Sequence, residues 1–138
     1  MTKLDFYRDV LSPKVRAKKT ALIEIASCQR AIEREFATYN AWLSELYIYD
    51  GYRRGEGYSY IPAYHNYDNG KWATELHDEF FTYSEEDDSY YKDRDAAANL
   101  RELENNIDEW TADLEDERNK LNLLNKEIDA ARKEFDKL

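Results

Sequence analysis

The fold of this chain is decided by residues 96–138, which read AAANLRELENNIDEWTADLEDERNKLNLLNKEIDAARKEFDKL. Apolar residues recur here at alternating steps of three and four, and only Glu117 interrupts them. The positions are Ala96, Leu100, Leu103, Ile107, Trp110, Leu114, Glu117, Leu121, Leu124, Ile128, Ala131, Phe135 and Leu138. Such a heptad stripe predicts a helix about 64 Å long that packs one face against another helix.

A second stripe of the same period occupies the N-terminal third of the chain. It consists of Val15, Lys18, Leu22, Ile25, Gln29, Ile32, Phe36, Tyr39, Leu43 and Leu46. Ser12 and Pro13 suit an N-cap and a first helical position, so a helix is expected to begin or bend there. Before them, Thr2 and Asp5 resemble a capping box that starts a short helix.

The two stripes match each other as an antiparallel pair. Placing Leu46 opposite Leu100 brings Leu22 opposite Leu124, and every a position then meets a d position. Gln29 falls opposite Glu117 in this arrangement, so the two polar interruptions coincide and are predicted to fix the register. The sequence therefore predicts a mainly α fold, a long antiparallel coiled-coil helical hairpin. The alternative is that a stripe pairs with a second copy of the chain, as a homodimer.

The composition changes between the stripes. Residues 47–95 hold all four glycines, both histidines and ten of the twelve tyrosines. Alternating tyrosines at 47, 49, 58 and 60 predict short strands, and Asp50-Gly51 and Asn69-Gly70 are turn signals. The chain is therefore expected to form a single domain over 1–138. It comprises a short helix and the first coiled-coil helix (1–46), a tyrosine-rich inserted head that is α/β or irregular (47–95), and the second coiled-coil helix (96–138).

Two further elements are expected within the head. Residues 71–83 have the spacing of an amphipathic helix through Trp72, Leu76, Phe80 and Tyr83, with a strand as the alternative. Ser84 and Asp87 form a second capping-box pattern. The last long helix is therefore predicted to begin near residue 84, before its apolar stripe does.

Charge and cysteine content restrict the classes of function. Charged residues are 36% of the chain, and the net charge of −10 opposes direct binding of nucleic acid or of an anionic membrane. It favours a basic protein partner or plain solubility. Cys28 is the only cysteine and is expected to be a small buried residue. No apolar run approaches the roughly 18 residues of a membrane span, so a cytoplasmic location is expected, in the host cytoplasm if the protein is phage-encoded.

Catalytic and metal sites have little support in the sequence. His65 and His77 are the only histidines, and Glu75, Asp78 and Glu79 could add oxygen ligands. The chain has no HExxH motif, no Walker loop and no dinucleotide-binding glycine spacing. We therefore expect a non-enzymatic protein without a metal or cofactor, and a metal-dependent enzyme centred on the two histidines is the third-ranked alternative.

Two acidic segments contain no lysine or arginine. One comprises Glu75, Asp78, Glu79, Glu85, Glu86, Asp87 and Asp88; the other, the acidic run, comprises Glu102, Glu104, Asp108, Glu109, Asp113, Glu115, Asp116 and Glu117. On a helix the acidic run places a carboxylate about every 3 Å, about half the density of phosphates on duplex DNA. All of the first segment, and Glu102, Asp108, Glu109, Glu115 and Asp116 of the second, are predicted to bind a partner. The alternative is an ordinary solvated helix face.

The head also contains more aromatic residues than so small a unit is expected to bury. Tyrosine and tryptophan offer large, stiff contact areas and are enriched at binding hot spots. The predicted aromatic contact residues are Tyr52, Tyr58, Tyr60, Tyr64, Tyr67, Trp72, Tyr90 and Tyr91. A small aromatic core that closes the end of the hairpin is the alternative.

The composition is similar to that of small phage or mobile-element proteins that block host defence nucleases, including anti-CRISPR proteins and DNA mimics. The similarity is one of size, charge and aromatic content; it covers no motif and assigns no residue. It implies an acidic inhibitor that occupies the basic nucleic-acid-binding groove of a nuclease or of its ribonucleoprotein complex. The alternative function is that of a structural coiled-coil protein that dimerises or scaffolds an assembly.

Overall fold

The protein is mostly helical, with a small antiparallel sheet between its two long helices. A computed structural model describes residues 1–64 and 70–138. The elements are α1 (Lys3–Phe6), a π-helical turn (Tyr7–Leu11), α2 (Ser12–Ser44), β1 (Tyr47–Arg53), β2 (Gly57–Pro62), α3 (Ala73–Leu76), β3 (Phe80–Ser84), β4 (Ser89–Asp93) and α4 (Ala96–Lys137). The predictions for His65 as a metal ligand, for Tyr67 as a contact residue and for Asn69 as part of a turn concern residues outside the described ones.

The described residues form two compact units. Unit 1 comprises residues 1–32 and 109–138, and unit 2 comprises residues 33–108. Helices α2 and α4 each contribute to both units. The sequence-based prediction of a single domain stays a prediction.

Unit 1 contains a small apolar cluster around the N-terminal segment. Phe6 and Leu11 are buried with Ile128 and Ala131 of α4, and the ring of Phe6 lies 6.4 Å from that of Phe135. Thr2 caps α1 as predicted, because its hydroxyl accepts a hydrogen bond from the Asp5 backbone N–H at 3.1 Å. The N-terminal segment is therefore held by both packing and capping.

Unit 2 has the larger core. Its buried side chains come from both long helices, from the sheet and from the connections: Tyr39, Leu43, Leu46, Ile48, Ala63, Ala73, Phe80, Ala96, Leu100 and Ile107. Tyr39, Leu43, Phe80 and Leu100 are the largest fully buried ones. Burying such side chains removes apolar area from water, which is the main favourable contribution to the stability of the unit.

The sheet has four antiparallel strands in the order β2-β1-β3-β4. β1 pairs with β2 over its whole length, apart from a bulge between Tyr49 and Gly51. Gly51 has a φ of +118°, which side-chain-bearing residues rarely adopt. The Asp50-Gly51 pair therefore forms a bulge within β1, and the predicted turn at this pair is wrong. The chain reverses at residues 54–56 instead.

Several predicted elements are confirmed. α4 begins at Ala96, at the first residue of the heptad stripe, and the stripe is buried or half-buried from there to Phe135. β1 and β2 contain the alternating tyrosines as expected. α2 begins at Ser12, although the chain enters it directly from the π-helical turn and Ser12 has helical dihedral angles.

The predicted start of the last helix near residue 84 is wrong. Ser84 ends β3, and the four acidic residues that follow form the turn to β4. α4 is capped instead by Asp93, whose carboxylate accepts hydrogen bonds from the backbone N–H groups of Asp95 and Ala96 at 3.1 Å each. The apolar stripe therefore predicted the start of α4 correctly, whereas the capping-box pattern of Ser84 and Asp87 did not.

The expectation of a helix over residues 71–83 is correct only for Ala73–Leu76. Residues 80–84 form strand β3 instead. Phe80 and Phe81 point to opposite sides of this strand, and both sides carry apolar residues, so the polar–apolar alternation that signals a strand is missing.

The N-terminal stripe is buried or half-buried as predicted except at Leu22 and Gln29, in the middle of α2. Ala21, Cys28 and Ala31 are buried, whereas Leu22 is 46% exposed and Gln29 is also exposed. Small residues line the buried side of this part of α2, Ile25 and Ile32 are half-buried, and Leu22 and Ile23 lie toward solvent. None of the described helices combines the length and the hydropathy that a membrane span requires.

Candidate functional site

One side of the sheet carries a continuous group of aromatic rings, which we call the aromatic face. Its members lie on all four strands: Tyr47, Tyr49, Tyr52, Tyr58, Tyr60, Phe81, Tyr83 and Tyr90. Ile48 and Phe80 alternate with these residues along β1 and β3 and point into the core of unit 2. The aromatic face is therefore the outer side of the sheet.

The rings contact one another across the strands. Tyr60 and Tyr90 are stacked with their centroids 4.4 Å apart, and Phe81 meets Tyr60 edge-on at 5.0 Å. Tyr52 contacts Tyr58 at 5.2 Å near the β1–β2 turn. Cross-strand aromatic pairs of this kind stabilise a sheet, so the centre of the aromatic face also contributes to folding.

The edges of the aromatic face are open to solvent. Tyr58 is 70% exposed and Tyr52 is 61% exposed, while Tyr49 and Tyr83 are also exposed. Large aromatic rings that remain this accessible are not needed to fill the core. Exposed tyrosine rings are enriched at protein interfaces, which makes the aromatic face a candidate contact surface.

The aromatic face adjoins four consecutive carboxylates, Glu85, Glu86, Asp87 and Asp88, which we call the acidic turn. The hydroxyl of Tyr83 donates to Asp88 at 2.5 Å, and the hydroxyl of Tyr91 donates to Asp87 at 2.6 Å. Asp88 has a φ of 48°, a left-handed conformation that aspartate tolerates in turns. The two predicted surfaces, acidic and aromatic, are thus brought together at this hairpin.

These hydrogen bonds change the acidity of the two tyrosines. The bond to Asp88, with smaller effects of desolvation and nearby negative charge, raises the pKa of Tyr83 to about 12. The bond to Asp87 likewise raises the pKa of Tyr91. The raised pKa values extend the range over which both hydroxyls stay protonated to higher pH.

The remaining residues of the first acidic segment have separate positions. Glu79 forms an ion pair with Lys92 at 2.8 Å, which neutralises the cation beside Phe81. Glu75 and Asp108 line one surface groove with Trp72. Asp78 is exposed between α3 and β3.

Trp72 has a different position from that expected of a contact residue. It is half-buried against the core, with its ring 5.7 Å from that of Phe36 and 5.2 Å from that of Tyr39. Tyr91 pairs with Thr82 and so lies on the opposite side of β4 from Tyr90. Tyr64 is exposed just after β2. These three residues lie outside the aromatic face.

The acidic run lies on α4. Glu102 and Asp108 are exposed in unit 2, and Glu109, Glu115 and Asp116 are exposed in unit 1. Asp113 is also exposed, whereas the two remaining members are less available. Glu104 is buried, and Glu117 is half-buried and accepts a hydrogen bond from Lys120 at 3.1 Å.

Glu104 holds α3 in place within unit 2. Its carboxylate accepts hydrogen bonds from the Tyr39 hydroxyl at 2.6 Å and from the hydroxyl and backbone N–H of Thr74. The Tyr39 hydroxyl in turn accepts from the Ala73 N–H at 3.0 Å. Every bond of this network lies inside the unit, so this member of the acidic run stabilises the fold.

The predicted register pair of Gln29 and Glu117 is not supported, because Gln29 is exposed. Cys28 is the buried residue in its place, 5% exposed and beside Glu117 in a pocket of unit 1. Burial, followed by the charges of Asp113, Glu117 and Glu24, raises the pKa of the Cys28 thiol. The expected small buried cysteine is thus confirmed.

Among residues 1–64 and 70–138, no group of three or more histidine, cysteine or carboxylate side chains is arranged to hold a metal ion. His77 is half-buried at the end of α3. The expectation of no cofactor remains a prediction.

Four members of the aromatic face were absent from the predicted contact residues: Tyr47, Tyr49, Phe81 and Tyr83. The alternation of Tyr47 and Tyr49 already indicated a strand with both rings on one side. The spacing of Phe81 and Tyr83 carried the same signal, which the helix interpretation concealed.

Comparisons with family models, curated proteins and solved structures give no significant match for this chain.

Proposed function

We propose that this protein is an acidic protein-binding inhibitor, and that its partner is a basic nucleic-acid-binding protein, such as a nuclease, whose groove it occupies. The observation that carries the proposal is the junction of the aromatic face with the acidic turn through the Tyr83–Asp88 hydrogen bond. Exposed tyrosines supply contact area, and the carboxylates attract a basic surface and orient it. The exposed carboxylates of the acidic run add negative charge that would compete with a phosphate backbone.

A second part of the proposal concerns the long helices. We propose that α2 and α4 pair as an antiparallel coiled-coil hairpin. Two contacts between these helices support it, one in each unit: Lys14 lies 3.4 Å from Glu127 in unit 1, and the Tyr39 hydroxyl donates to Glu104 at 2.6 Å in unit 2. Cysteines at positions 14 and 127, in a Cys28→Ser background, should crosslink within one chain when treated with a short bismaleimide. Crosslinks between chains would favour the alternative, a dimeric scaffold.

The inhibitor proposal is tested with a panel of purified basic nucleases and CRISPR effector complexes. A true partner should lose nucleic-acid binding in proportion to added protein, and raising the salt from about 50 to 300 mM should weaken the complex. A complex that leaves nucleic-acid binding unchanged would contradict groove occupation. Failure to inhibit any panel member at micromolar concentration would contradict the proposal as well.

Two charge-reversal variants separate local from general electrostatics. Glu85→Lys/Glu86→Lys alters the acidic turn but leaves the acceptors of the tyrosine hydroxyls intact. Glu134→Lys/Asp136→Lys makes the same change in charge at exposed positions near the end of α4. We expect the first variant to weaken the complex at least tenfold and the second to have a much smaller effect. Reversal of Asp108, Glu109, Glu115 and Asp116 together tests the contribution of the acidic run.

A further inference from the structure

The end of α2 and the β3–β4 hairpin leave a groove between them in unit 2. Among the described residues, β1 and β3 pair only at Tyr47 and Phe81, so residues 82–84 continue past the start of β1. This part of β3 therefore has no neighbouring strand on that side, and the groove opens at the gap.

Three adjoining hollows make up the groove. Their volumes are about 300, 420 and 340 Å³. Trp42 lines the first and the second, and Glu45 and Thr82 line the second and the third. We call the three hollows together the Trp42 groove, which extends from Glu102 on α4 to Glu85 in the acidic turn.

The ring of Trp42 lies between two carboxylates. It is 37% exposed, and it shares one hollow with Glu102 and the next with Glu45. Neither carboxylate forms an ion pair with a lysine or arginine of the described chain. Arg94 and Arg101 are the nearest arginines in the sequence, and neither of them lines the groove. The negative charge is therefore located beside the ring itself.

This combination of ring and charge favours the side chain of arginine. The indole ring attracts cations more strongly than the other aromatic rings, and a planar guanidinium can stack on it while donating hydrogen bonds to carboxylates at its edge. Asn99 and Asn106 line the same hollow as Glu102, and their side-chain carbonyls can accept further N–H groups. Nucleic-acid bases would also stack on Trp42, but their phosphates would meet the carboxylates.

We propose that the Trp42 groove binds an extended, arginine-containing segment of the basic partner, with one guanidinium stacked on Trp42 between Glu45 and Glu102. The segment continues along the groove toward the acidic turn. The inference rests on the proposed function, because the basic character of the partner supplies the segment. It also gives Trp42, which was not among the predicted contact residues, the central position in the contact.

Defined probes replace the unidentified partner in the first test. Fluorescently labelled octa-arginine, octa-lysine and octa-thymidylate are titrated with the protein at about 50 mM salt, where screening is weak. Octa-arginine should bind about threefold or more tightly than octa-lysine, because the two peptides have equal charge and arginine stacks better on indole. Equal affinities of the two peptides would overturn the inference, and so would preferential binding of octa-thymidylate, which would indicate a base-stacking groove.

The position of the bound peptide is read from the tryptophans. Protein labelled with 5-fluorotryptophan gives ¹⁹F NMR signals for Trp42, Trp72 and Trp110, which single tryptophan-to-phenylalanine variants assign. Octa-arginine should shift the signal of Trp42 and leave that of Trp110 in place. Trp110 is the matched control, because it lines an acidic hollow of unit 1 in which Lys120 already pairs with Glu117. An unmoved Trp42 signal, or equal shifts of the two signals, would overturn the inference.

Variants separate stacking from charge. Trp42→Leu should weaken octa-arginine binding about fivefold and remove the preference over octa-lysine, as expected for the loss of one cation–π contact. Trp42→Met replaces it if circular dichroism shows that the leucine variant does not fold. Glu45→Gln/Glu102→Gln should weaken the binding of both peptides. Glu134→Gln/Asp136→Asn makes the same change in charge at exposed positions of unit 1 and should have a much smaller effect. An arginine preference that persists without the indole ring would contradict stacking on Trp42.

The two proposals fail in different ways. If Trp42→Leu still inhibits a nuclease with full strength, the groove inference is wrong and the inhibitor proposal stands. If octa-arginine binds at Trp42 as expected but no basic nuclease is inhibited, the proposed function is wrong and the arginine-binding chemistry of the groove is retained.

Discussion

On the inner side of the sheet, Ile48 and Phe80 are covered by core residues of α2 and α4, whereas on the outer side Tyr52 and Tyr58 keep more than half of their surface in water. The inner side uses aliphatic and phenyl groups, which gain most from burial. The outer side uses tyrosine, which tolerates water and still offers apolar area. Folding accounts for the inner residues, and the exposed outer rings are the ones that we propose as a contact surface for a partner.

The difference between the two sides should appear most strongly when a whole ring is removed. Phe80→Ala empties a fully buried site and should cost about 3–5 kcal/mol of unfolding free energy. Tyr58→Ala removes a 70% exposed ring and should cost little. Urea unfolding of both variants measures the contrast, and Phe80→Leu provides a milder core change if the alanine variant does not fold. Similar losses at the two positions would show that the outer rings are structural.

The hydroxyl groups of Tyr39 and Tyr83 give a second contrast between a buried and an exposed position. Tyr39→Phe removes a buried hydroxyl that donates to Glu104 and accepts from the Ala73 N–H, so it should cost about 1–3 kcal/mol. Tyr83→Phe removes an exposed hydroxyl that bonds to Asp88, and the free energy of unfolding should hardly change. Chemical denaturation at pH 7 distinguishes the two. A large loss in Tyr83→Phe would mean that the acidic turn is needed for folding.

The bulge in β1 gives a smaller effect that originates in the backbone. Gly51→Ala forces a side chain into a φ of +118°, and we expect a loss of about 1–2 kcal/mol. Space is not the cause, since no atom lies within 4 Å of a Cβ built there. Ser59→Ala, at the residue paired with Gly51, is the control and should be nearly neutral. Equal stability of the two variants would contradict the backbone argument.

The smallest effect concerns pH. Because the pKa of Tyr83 is raised from 10.0 to about 12 in the folded state, its protonated form is favoured by folding. The resulting stabilisation is complete below pH 10 and is lost as the pH rises toward 12. Absorbance near 295 nm should show one tyrosine that ionises late, and Asp88→Asn should return it toward the ordinary range. An unchanged titration curve in that variant would contradict the role of the hydrogen bond.

The sequence predicted the long helices better than the sheet. The stripe from Ala96 onward is interrupted only at Glu117, and its first residue is also the first residue of α4. In α2 the stripe contained large residues such as Leu22, but small residues such as Ala21 and Cys28 face the core. The prediction favoured the most hydrophobic side chains, such as leucine, and it therefore missed a side of the helix that is lined by alanine.

The candidate site could be predicted only in part. The excess of tyrosines in the head indicated exposed rings, and the run of four acids indicated a charged surface. The rings and the acids lie together only because β3 and β4 form a hairpin. The sequence did not indicate this hairpin, because apolar residues lie on both sides of β3. The burial of Glu104 also depends on tertiary contacts with Tyr39 and Thr74, which no local pattern encodes.

The most direct test of the proposed contact surface is aromatic ¹³C–¹H NMR of the unmodified protein during titration with a nuclease that it inhibits. The account predicts that ring signals of Tyr49, Tyr52, Tyr58 and Tyr83 shift together, while those of buried Tyr39 and of Tyr7 stay in place. Assignments come from single tyrosine-to-phenylalanine variants. Shifts confined to α4 and the acidic turn, with unmoved tyrosine rings, would contradict the claim that the outer side of the sheet is the binding surface.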